Sequence, residues 1–175
     1  MKKVKAICLG ASDVGKTSLL THMREKRFFN QSPTVGVDYS MFVHDHTHFQ
    51  CWDVSGNPSF KAVADMFVKD CKVVVYVFDT SSKKSLDYVL QWHQTLMASN
   101  IYRQYFIIGN IFSTRKQMSR IHQKLEEYPM LMYYEVDGKN LRALERVFSN
   151  IITIADPFEP IVENTYHRRN CCNIN

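Results

Sequence analysis

Residues 10–18, GASDVGKTS, have a spacing of glycine, lysine and hydroxyl side chains that suits phosphate binding. They match the pattern G-x-x-x-x-G-K-[ST], with Gly10, Gly15, Lys16 and Thr17 at its fixed positions. In such a loop backbone N–H groups point at phosphate oxygens, the lysine contacts the outer phosphates and the hydroxyl binds Mg²⁺. The other loop residues expected to contact the phosphates are Ser12, Asp13, Val14 and Ser18. The sequence therefore predicts a nucleoside phosphate site with Mg²⁺.

A carboxylate and a glycine with a related function follow at Asp53 and Gly56, where a strand-like run ends. The carboxylate can orient the Mg²⁺ shell, and the glycine N–H can contact a terminal phosphate. Thr34 can add a hydroxyl to the metal when a third phosphate is present, which would order its segment in one nucleotide state only. Thr17, Thr34 and Asp53 are thus the expected metal ligands.

Apolar runs alternate with amphipathic stretches along the chain, a pattern that predicts an α/β domain with a mostly parallel sheet. Strands are expected near Val4–Gly10, Val37–His44, His46–Asp53, Lys72–Asp79, Tyr105–Asn110 and Met130–Glu135. Helices are expected near Lys16–Lys26, Ser59–Lys69, Lys83–Ser99, Ser113–Tyr128 and Asn140–Ile154. The second and third strands are too close for a crossover, so they should form an antiparallel hairpin.

Length and composition are consistent with one compact domain. The chain has 175 residues, 45% of them hydrophobic, and a net charge of +5. We expect a domain over residues 1–155 and a flexible tail over 156–175, where periodicity is lost. The mild positive charge, without an arginine-rich block, argues against a nucleic-acid partner. We expect no signal peptide, and cysteines inside strand-like runs favour reduced thiols in the cytosol.

Three stretches carry a resemblance to a known family. VGVDY (35–39), WDVSGNPSF (52–60) and VVVYVFDTSSKKSLDYVLQW (73–92) are similar to segments of Ras-superfamily small GTPases, specifically of the Rab branch. The similarity covers roughly residues 4–155 and the last five. It implies a three-layer P-loop NTPase fold with a six-stranded sheet and helices on both faces. It also implies GTP/GDP and Mg²⁺ as ligands, and a membrane-trafficking switch as the function.

The resemblance assigns Tyr39, Trp52 and Phe67 to an aromatic triad that effector proteins bind. Ordinary packing of the hairpin explains these three residues equally well, and a large rimmed apolar patch would favour the effector role.

The catalytic position departs from the family. Rab proteins usually have glutamine directly after the glycine that corresponds to Gly56, where it orients the attacking water. This chain has Asn57 at that position, followed by Pro58. A displacement of the attacking water by about 1 Å can lower the rate of hydrolysis by about a hundredfold. With Lys16 and Asn57 in the catalytic roles, we expect slow intrinsic hydrolysis that depends on an arginine supplied by a partner.

The base-recognition elements are also altered. In the stretch that corresponds to N-K-x-D, Asn110 is kept but Ile111 and Ser113 replace the lysine and the aspartate. Ser113 lacks the charge that strengthens hydrogen bonds to the base. Asp137, Gly138 and Lys139 take the place of S-A-K, so that the lysine remains and Asp137 is a candidate replacement carboxylate.

An aromatic residue that stacks on the base is expected at Phe28. Counting back from Thr34 instead of forward from the P-loop makes Phe29 the alternative, and a plain packing role fits either ring.

The chain ends in CCNIN, and Cys172 is fourth from the end. The adjacent Cys171 and Cys172 resemble the double-cysteine ends of Rab proteins that receive geranylgeranyl groups. Two lipid chains, or one with nearby basic residues, suffice for stable attachment to a membrane. The expected partners are effectors, an exchange factor, an activating protein and a prenyl-binding escort, at the cytoplasmic face of an intracellular membrane.

Two other functions remain open at this point. A pseudo-GTPase adaptor at a membrane would explain Asn57, Ile111 and Ser113, although an empty site needs neither Lys16 nor Thr34. A P-loop kinase or ATPase fits the altered base site, but no second substrate pocket or arginine-rich lid is evident in the sequence.

Overall fold

The computed structural model describes residues 2–44, 46–99, 101, 103–113, 118–155 and 172–173. Within these residues the strands form one sheet in the order β2-β3-β1-β4-β5-β6-β7. The strands are β1 (Lys2–Leu9), β2 (Val37–His44), β3 (Thr47–Val54), β4 (Val73–Asp79), β5 (Gln104–Asn110), β6 (Leu131–Val136) and β7 (Cys172–Asn173).

The described helices are five, together with a short 3₁₀ turn at Pro58–Phe60. They are α1 (Lys16–Glu25), α2 (Lys61–Val68), α3 (Lys83–Met97), α4 (Met118–Leu125) and α5 (Leu141–Ala155). None of the described helices is long and apolar enough to cross a membrane.

The sheet is mostly parallel because helices connect most of its neighbouring strands. Only β2 and β3 pair antiparallel, with Val37 opposite Val54 and His44 opposite Thr47. That register leaves a two-residue turn, and its second residue, His46, has a φ of 64°. Positive φ is what a tight hairpin turn with the right twist requires. The hairpin expected from the sequence is therefore confirmed.

Alternation along the central strand creates two hydrophobic cores, one on each face of the sheet. In β4 the side chains of Val73, Val75 and Val77 belong to the core that includes α1 and α5. Val74, Tyr76 and Phe78 belong to the core that includes α2 and α3. Six of the seven β4 residues are buried, as expected for a strand covered by helices on both faces. The molecule thus has the three-layer α/β architecture that the sequence predicts, with helices on both faces of a mostly parallel sheet.

The six strands expected from the sequence are all present, with ends shifted by at most two residues. The additional strand is β7, in which Cys172 pairs with Tyr134 and Asn173 with Glu135 in parallel register. Two residues are too short to show a strand pattern in the sequence. The remaining tail residues, 156–171 and 174–175, lie outside the described part, so the expected flexible tail stays a prediction.

Candidate functional site

The phosphate-binding loop follows β1 and ends at the first residue of α1. An added Cβ at Gly10 would lie 2.2 Å from the carbonyl oxygen of Val77, so the chain turns directly against β4. Gly15 precedes α1 with a φ of 89°, a left-handed conformation that glycine adopts without strain. These two glycines let the loop bend over the N-terminus of α1, where backbone N–H groups favour an anion.

Lys16 is held inside this loop. Its Nζ donates to the carbonyl oxygens of Gly10 at 3.0 Å and Ala11 at 2.7 Å. Burial lowers the pKa of Lys16 below its ordinary value, and the nearby charges of Asp53 and Asp13 act in the opposite direction. A phosphate beside the ammonium would compensate its lost hydration, so the lysine suits an anionic ligand.

The three expected metal ligands come together beside the lysine. The hydroxyl of Thr17 donates to Asp53 Oδ2 at 2.5 Å, and its Oγ1 lies 2.7 Å from Thr34 Oγ1. Thr34 also donates to the same carboxylate oxygen at 3.5 Å. Three chain segments far apart in sequence therefore place hard oxygen atoms around one point.

The other carboxylate oxygen of Asp53 suits a cation. Asp53 is 2% exposed, and its Oδ1 is buried without a hydrogen-bond partner among the described residues. Burial raises the pKa of Asp53, although hydrogen bonds from Thr17 and Thr34 and the charge of Lys16 oppose the shift. A carboxylate and two hydroxyls match the oxygen preference of Mg²⁺, which usually keeps several waters. These residues thus fit a magnesium ion, which neutralises phosphate charge when it is bound.

Gly56 lies directly on the phosphate-binding loop. An added Cβ there would be 2.2 Å from Ala11 C and from Ser12 N. Only glycine permits this approach, so the segment after β3 and the loop are fitted together at this point. A cavity of about 420 Å³ opens next to the contact, lined by Ser12, Asp13, Gly56 and Pro58 together with the first turn of α3.

Asn57 has its side chain turned toward the residues that follow. Its Oδ1 accepts the backbone N–H of Ser59 at 3.0 Å, which caps the 3₁₀ turn, and its own N–H donates to Ser55 Oγ at 3.3 Å. The Asn57 amide oxygen is therefore engaged with the local backbone in this structure.

Asn110 joins the two loops at the other end of the site. Its Nδ2 donates to the Val14 carbonyl at 3.0 Å, and its Oδ1 accepts the Gly138 N–H at 3.1 Å. The Gly138 carbonyl in turn lies 2.9 Å from His22 Nδ1 on α1. The His22 contact was not predicted, because a histidine within a helix gives no signal of its own in the sequence.

Phe28 and Lys139 lie side by side near these loops. The Lys139 Nζ is 5.9 Å from the centre of the Phe28 ring, within cation–π range. Phe29 instead lies under Arg27, with 5.7 Å between the Arg27 Cζ and the centre of the Phe29 ring. The structure therefore places Phe28, rather than Phe29, beside the lysine of the base-recognition loop.

The remaining expected site residues are spread around this centre. Ser12 and Asp13 are exposed on the loop, Val14 is buried beneath it, and Ser18 is half-buried in the first turn of α1. Cys171 lies outside the described residues, and Cys172 is on the edge strand β7.

The expected aromatic triad is a continuous row of rings. The Tyr39 and Trp52 centroids are 5.0 Å apart, and the Trp52 and Phe67 centroids 4.6 Å apart. Tyr39 is 39% exposed, and next to this row in sequence Val35 is 83% and Met66 67% exposed. The rings pack on one another, and exposed apolar side chains lie close to them in sequence, so both interpretations of the triad are consistent with the structure.

Comparisons with known proteins agree with this geometry. A family model described as Roc, the Ras of Complex domain of DAPkinase, matches residues 5–112. The Ras-related protein Rab-7B of Dictyostelium discoideum is 26% identical over 160 residues, which cover 86% of this chain and 81% of that protein. The Ras-related proteins Rab-7a and Rab-7b of Paramecium octaurelia are each 28% identical over 165 residues, 86% of this chain and 80% of each relative.

Proposed function

Since the chain belongs to the Ras superfamily of small GTPases and is Rab-like, we propose that it is a membrane-trafficking switch that binds GTP or GDP with Mg²⁺. The observation that carries the proposal is the convergence of Thr17, Thr34 and Asp53. Thr34 belongs to the long loop between α1 and β2, so this loop is tied directly to the other expected metal ligands. This is the contact a switch needs in order to sense the nucleotide.

In this proposal the residues of the site divide the work. Gly10, Gly15 and Lys16 hold the phosphates, and the backbone N–H of Gly56 contacts the terminal phosphate. Gly56 is suited to that role because it already lies against the loop. Asn110 fixes the base-side loops through its two hydrogen bonds.

Slow hydrolysis is part of the proposal. Asn57 is one methylene shorter than glutamine, and its amide is engaged with Ser59. We therefore expect fast turnover only with an activating protein that inserts an arginine, a contribution of about 10³–10⁵ in such systems. The cavity beside Ser12 and Gly56 is a suitable entry for that side chain.

Partner and membrane binding complete the proposal. Effectors would bind the exposed apolar surface around Tyr39, Trp52 and Phe67, and an exchange factor would load the nucleotide. Cys171 and Cys172 would carry prenyl groups, recognised by an escort protein in the cytosol and anchoring the chain at the cytoplasmic face of an intracellular membrane. Loss of membrane association in a Cys171→Ser, Cys172→Ser double variant would support the anchor, and full retention would contradict it.

A direct test uses Thr34→Ala, with Ser32→Ala on the same loop as the matched control. Thr34 supplies a hydroxyl to a charged cluster, so we expect about 10- to 100-fold weaker binding of a non-hydrolysable GTP analogue with Mg²⁺. Binding of GDP should stay within about twofold, because no third phosphate orders the loop. Titration calorimetry on the purified full chain gives both affinities. Equal losses for the two nucleotides would contradict a switch.

The adaptor is the second candidate, and the capping role of Asn57 favours it. A pseudo-GTPase would show no GTP hydrolysis in single-turnover assays, even with activating proteins, and Lys16→Ala would leave partner binding unchanged. A measurable hydrolysis rate that Lys16→Ala abolishes would exclude it.

A further inference from the structure

Two loops face the end of the phosphate-binding loop that is remote from Asp53. One follows β5 at residues 111–113 and the other follows β6 at 137–140, and Asn110 at the end of β5 bonds both Val14 and Gly138. Ligands of open α/β sheets bind at the carboxyl ends of the strands. A nucleotide whose phosphates contact Lys16 would therefore place its base against these two loops.

Phe112 brings an aromatic ring to this place. An added Cβ at Gly15 would lie 3.0 Å from Phe112 Cζ, so the ring packs against the loop at a residue without a side chain. Phe112 is still 55% exposed, which leaves much of the ring uncovered. A ring whose tip lies against the loop and which is more than half exposed offers a surface on which a base can stack.

Phe28 supplies a second ring near the same loops. It is 39% exposed, it forms a T-shaped pair with His22 at 5.7 Å between the ring centroids, and Lys139 Nζ lies over it. His22 also contacts the Gly138 carbonyl, so one buried side chain positions both the ring and the second loop.

The same loops offer little that distinguishes guanine from adenine. Guanine presents two N–H donors on its pairing edge, and a carboxylate that accepts both is an effective discriminator. In residues 110–118 and 136–140 the only acidic residue is Asp137. Asp137 is exposed, and its Oδ1 accepts the Lys139 N–H at 2.9 Å, which binds the carboxylate to its own loop. The hydroxyl of Ser113 can donate or accept, so it suits either base.

We propose that Phe112 and Phe28 form an aromatic slot that holds the nucleobase by stacking, so that this site binds guanine and adenine nucleotides with similar affinity. The inference rests on the proposed function, because it concerns the base of the same nucleotide. Stacking tolerates every base, since each has a π face. Strong discrimination instead requires buried polar groups that the wrong base leaves unpaired.

The test titrates the nucleotide-free full chain with GDP, ADP and inosine diphosphate in the presence of Mg²⁺. We expect dissociation constants within about tenfold of one another, because no charged acceptor selects the base. Phe112→Ala should weaken all three by a similar factor of about 5 to 150, the range for loss of one stacked ring. Phe112→Tyr should restore the affinity, and Met97→Ala, a similarly exposed apolar residue outside these loops, is the control for folding and handling.

Three results would overturn the inference. A preference for GDP over ADP of a thousandfold or more would show that a polar group selects the base, and its loss in Asp137→Asn would identify that group. Tighter binding in Phe112→Ala would show that the ring blocks the slot. No binding of any of the three nucleotides would overturn the proposed function together with the inference, whereas selective binding overturns the inference alone.

Discussion

At the scale of single residues, Asn57 shows how one methylene separates two roles. Its Oδ1 accepts the Ser59 N–H, a bond that the short side chain can make at the start of the 3₁₀ turn. The sequence predicted slow hydrolysis from the length of this side chain alone. The capping bond adds a second physical reason for slow hydrolysis, because the Asn57 amide would have to break this bond before it could orient a water.

Asn57→Gln is expected to raise the intrinsic rate of GTP hydrolysis by up to about a hundredfold, since a longer amide corrects a displacement of about 1 Å. Single-turnover assays on preloaded protein measure this rate. Asn57→Ala is the matched control, and its rate should stay within about twofold of the parent because the cap does no chemistry. An unchanged rate in Asn57→Gln would mean that Pro58 or the loop backbone, and not side-chain length, limits hydrolysis.

At the scale of elements, the ends of helices and turns place the site. Gly15 precedes α1 at the end of the glycine-rich loop, and Ser82 caps α3 by accepting the Ser85 N–H at 3.3 Å. Lys61 of α2 lies 4.6 Å from the Trp92 ring of α3 and bonds Asp65 in its own helix. The segment after Gly56 is therefore attached to α3 on one side and to the phosphate-binding loop on the other.

Ser82→Ala removes the cap of the fifteen-residue helix α3 and should lower the free energy of unfolding by about 0.5–2 kcal/mol. Urea denaturation of the nucleotide-free chain measures this change. Thr95→Ala on the exposed face of the same helix is the control. It loses the exposed bond from Thr95 Oγ1 to the Gln91 carbonyl but gains helix propensity, so it should be close to neutral. Equal effects of the two substitutions would argue that the Ser82 bond does not stabilise the helix.

At the scale of the whole molecule, a buried histidine links folding to pH. His93 is 3% exposed and packs between the rings of Tyr76, Tyr105 and Tyr128. Its Nδ1 has no hydrogen-bond partner among the described residues, and burial lowers its pKa from 6.5 to about 4. The side chain is therefore neutral in the folded chain at neutral pH.

The unfolded chain binds this proton more readily between about pH 6.5 and 4, so stability falls as the pH decreases through that interval. The loss should approach about 3 kcal/mol near pH 4 and be absent above about pH 6.5. Denaturation at several pH values measures it. His93→Phe should flatten this dependence, while His46→Asn, at an exposed turn residue, should not. A parallel pH dependence in His93→Phe and the parent would assign the effect to other groups.

The sequence by itself determined the parts of this protein that depend on local patterns. The glycine spacing of residues 10–17, the alternation of apolar residues in β4 and the short link between β2 and β3 each fix a local structure, so the phosphate-binding loop, the sheet and the hairpin could be predicted. Element ends were predicted less accurately, because the last residues of strands and helices depend on contacts with neighbouring elements.

Only the tertiary structure decided how residues distant in sequence meet. It placed Thr34 beside Thr17 and Asp53. It showed that Phe28, rather than Phe29, is the neighbour of Lys139. It also placed Phe112 against Gly15. It also showed that His22 connects α1 to the Gly138 loop. These contacts join parallel strands and loops separated by long crossovers, and their geometry follows from the packing of the whole sheet rather than from spacing within any one segment.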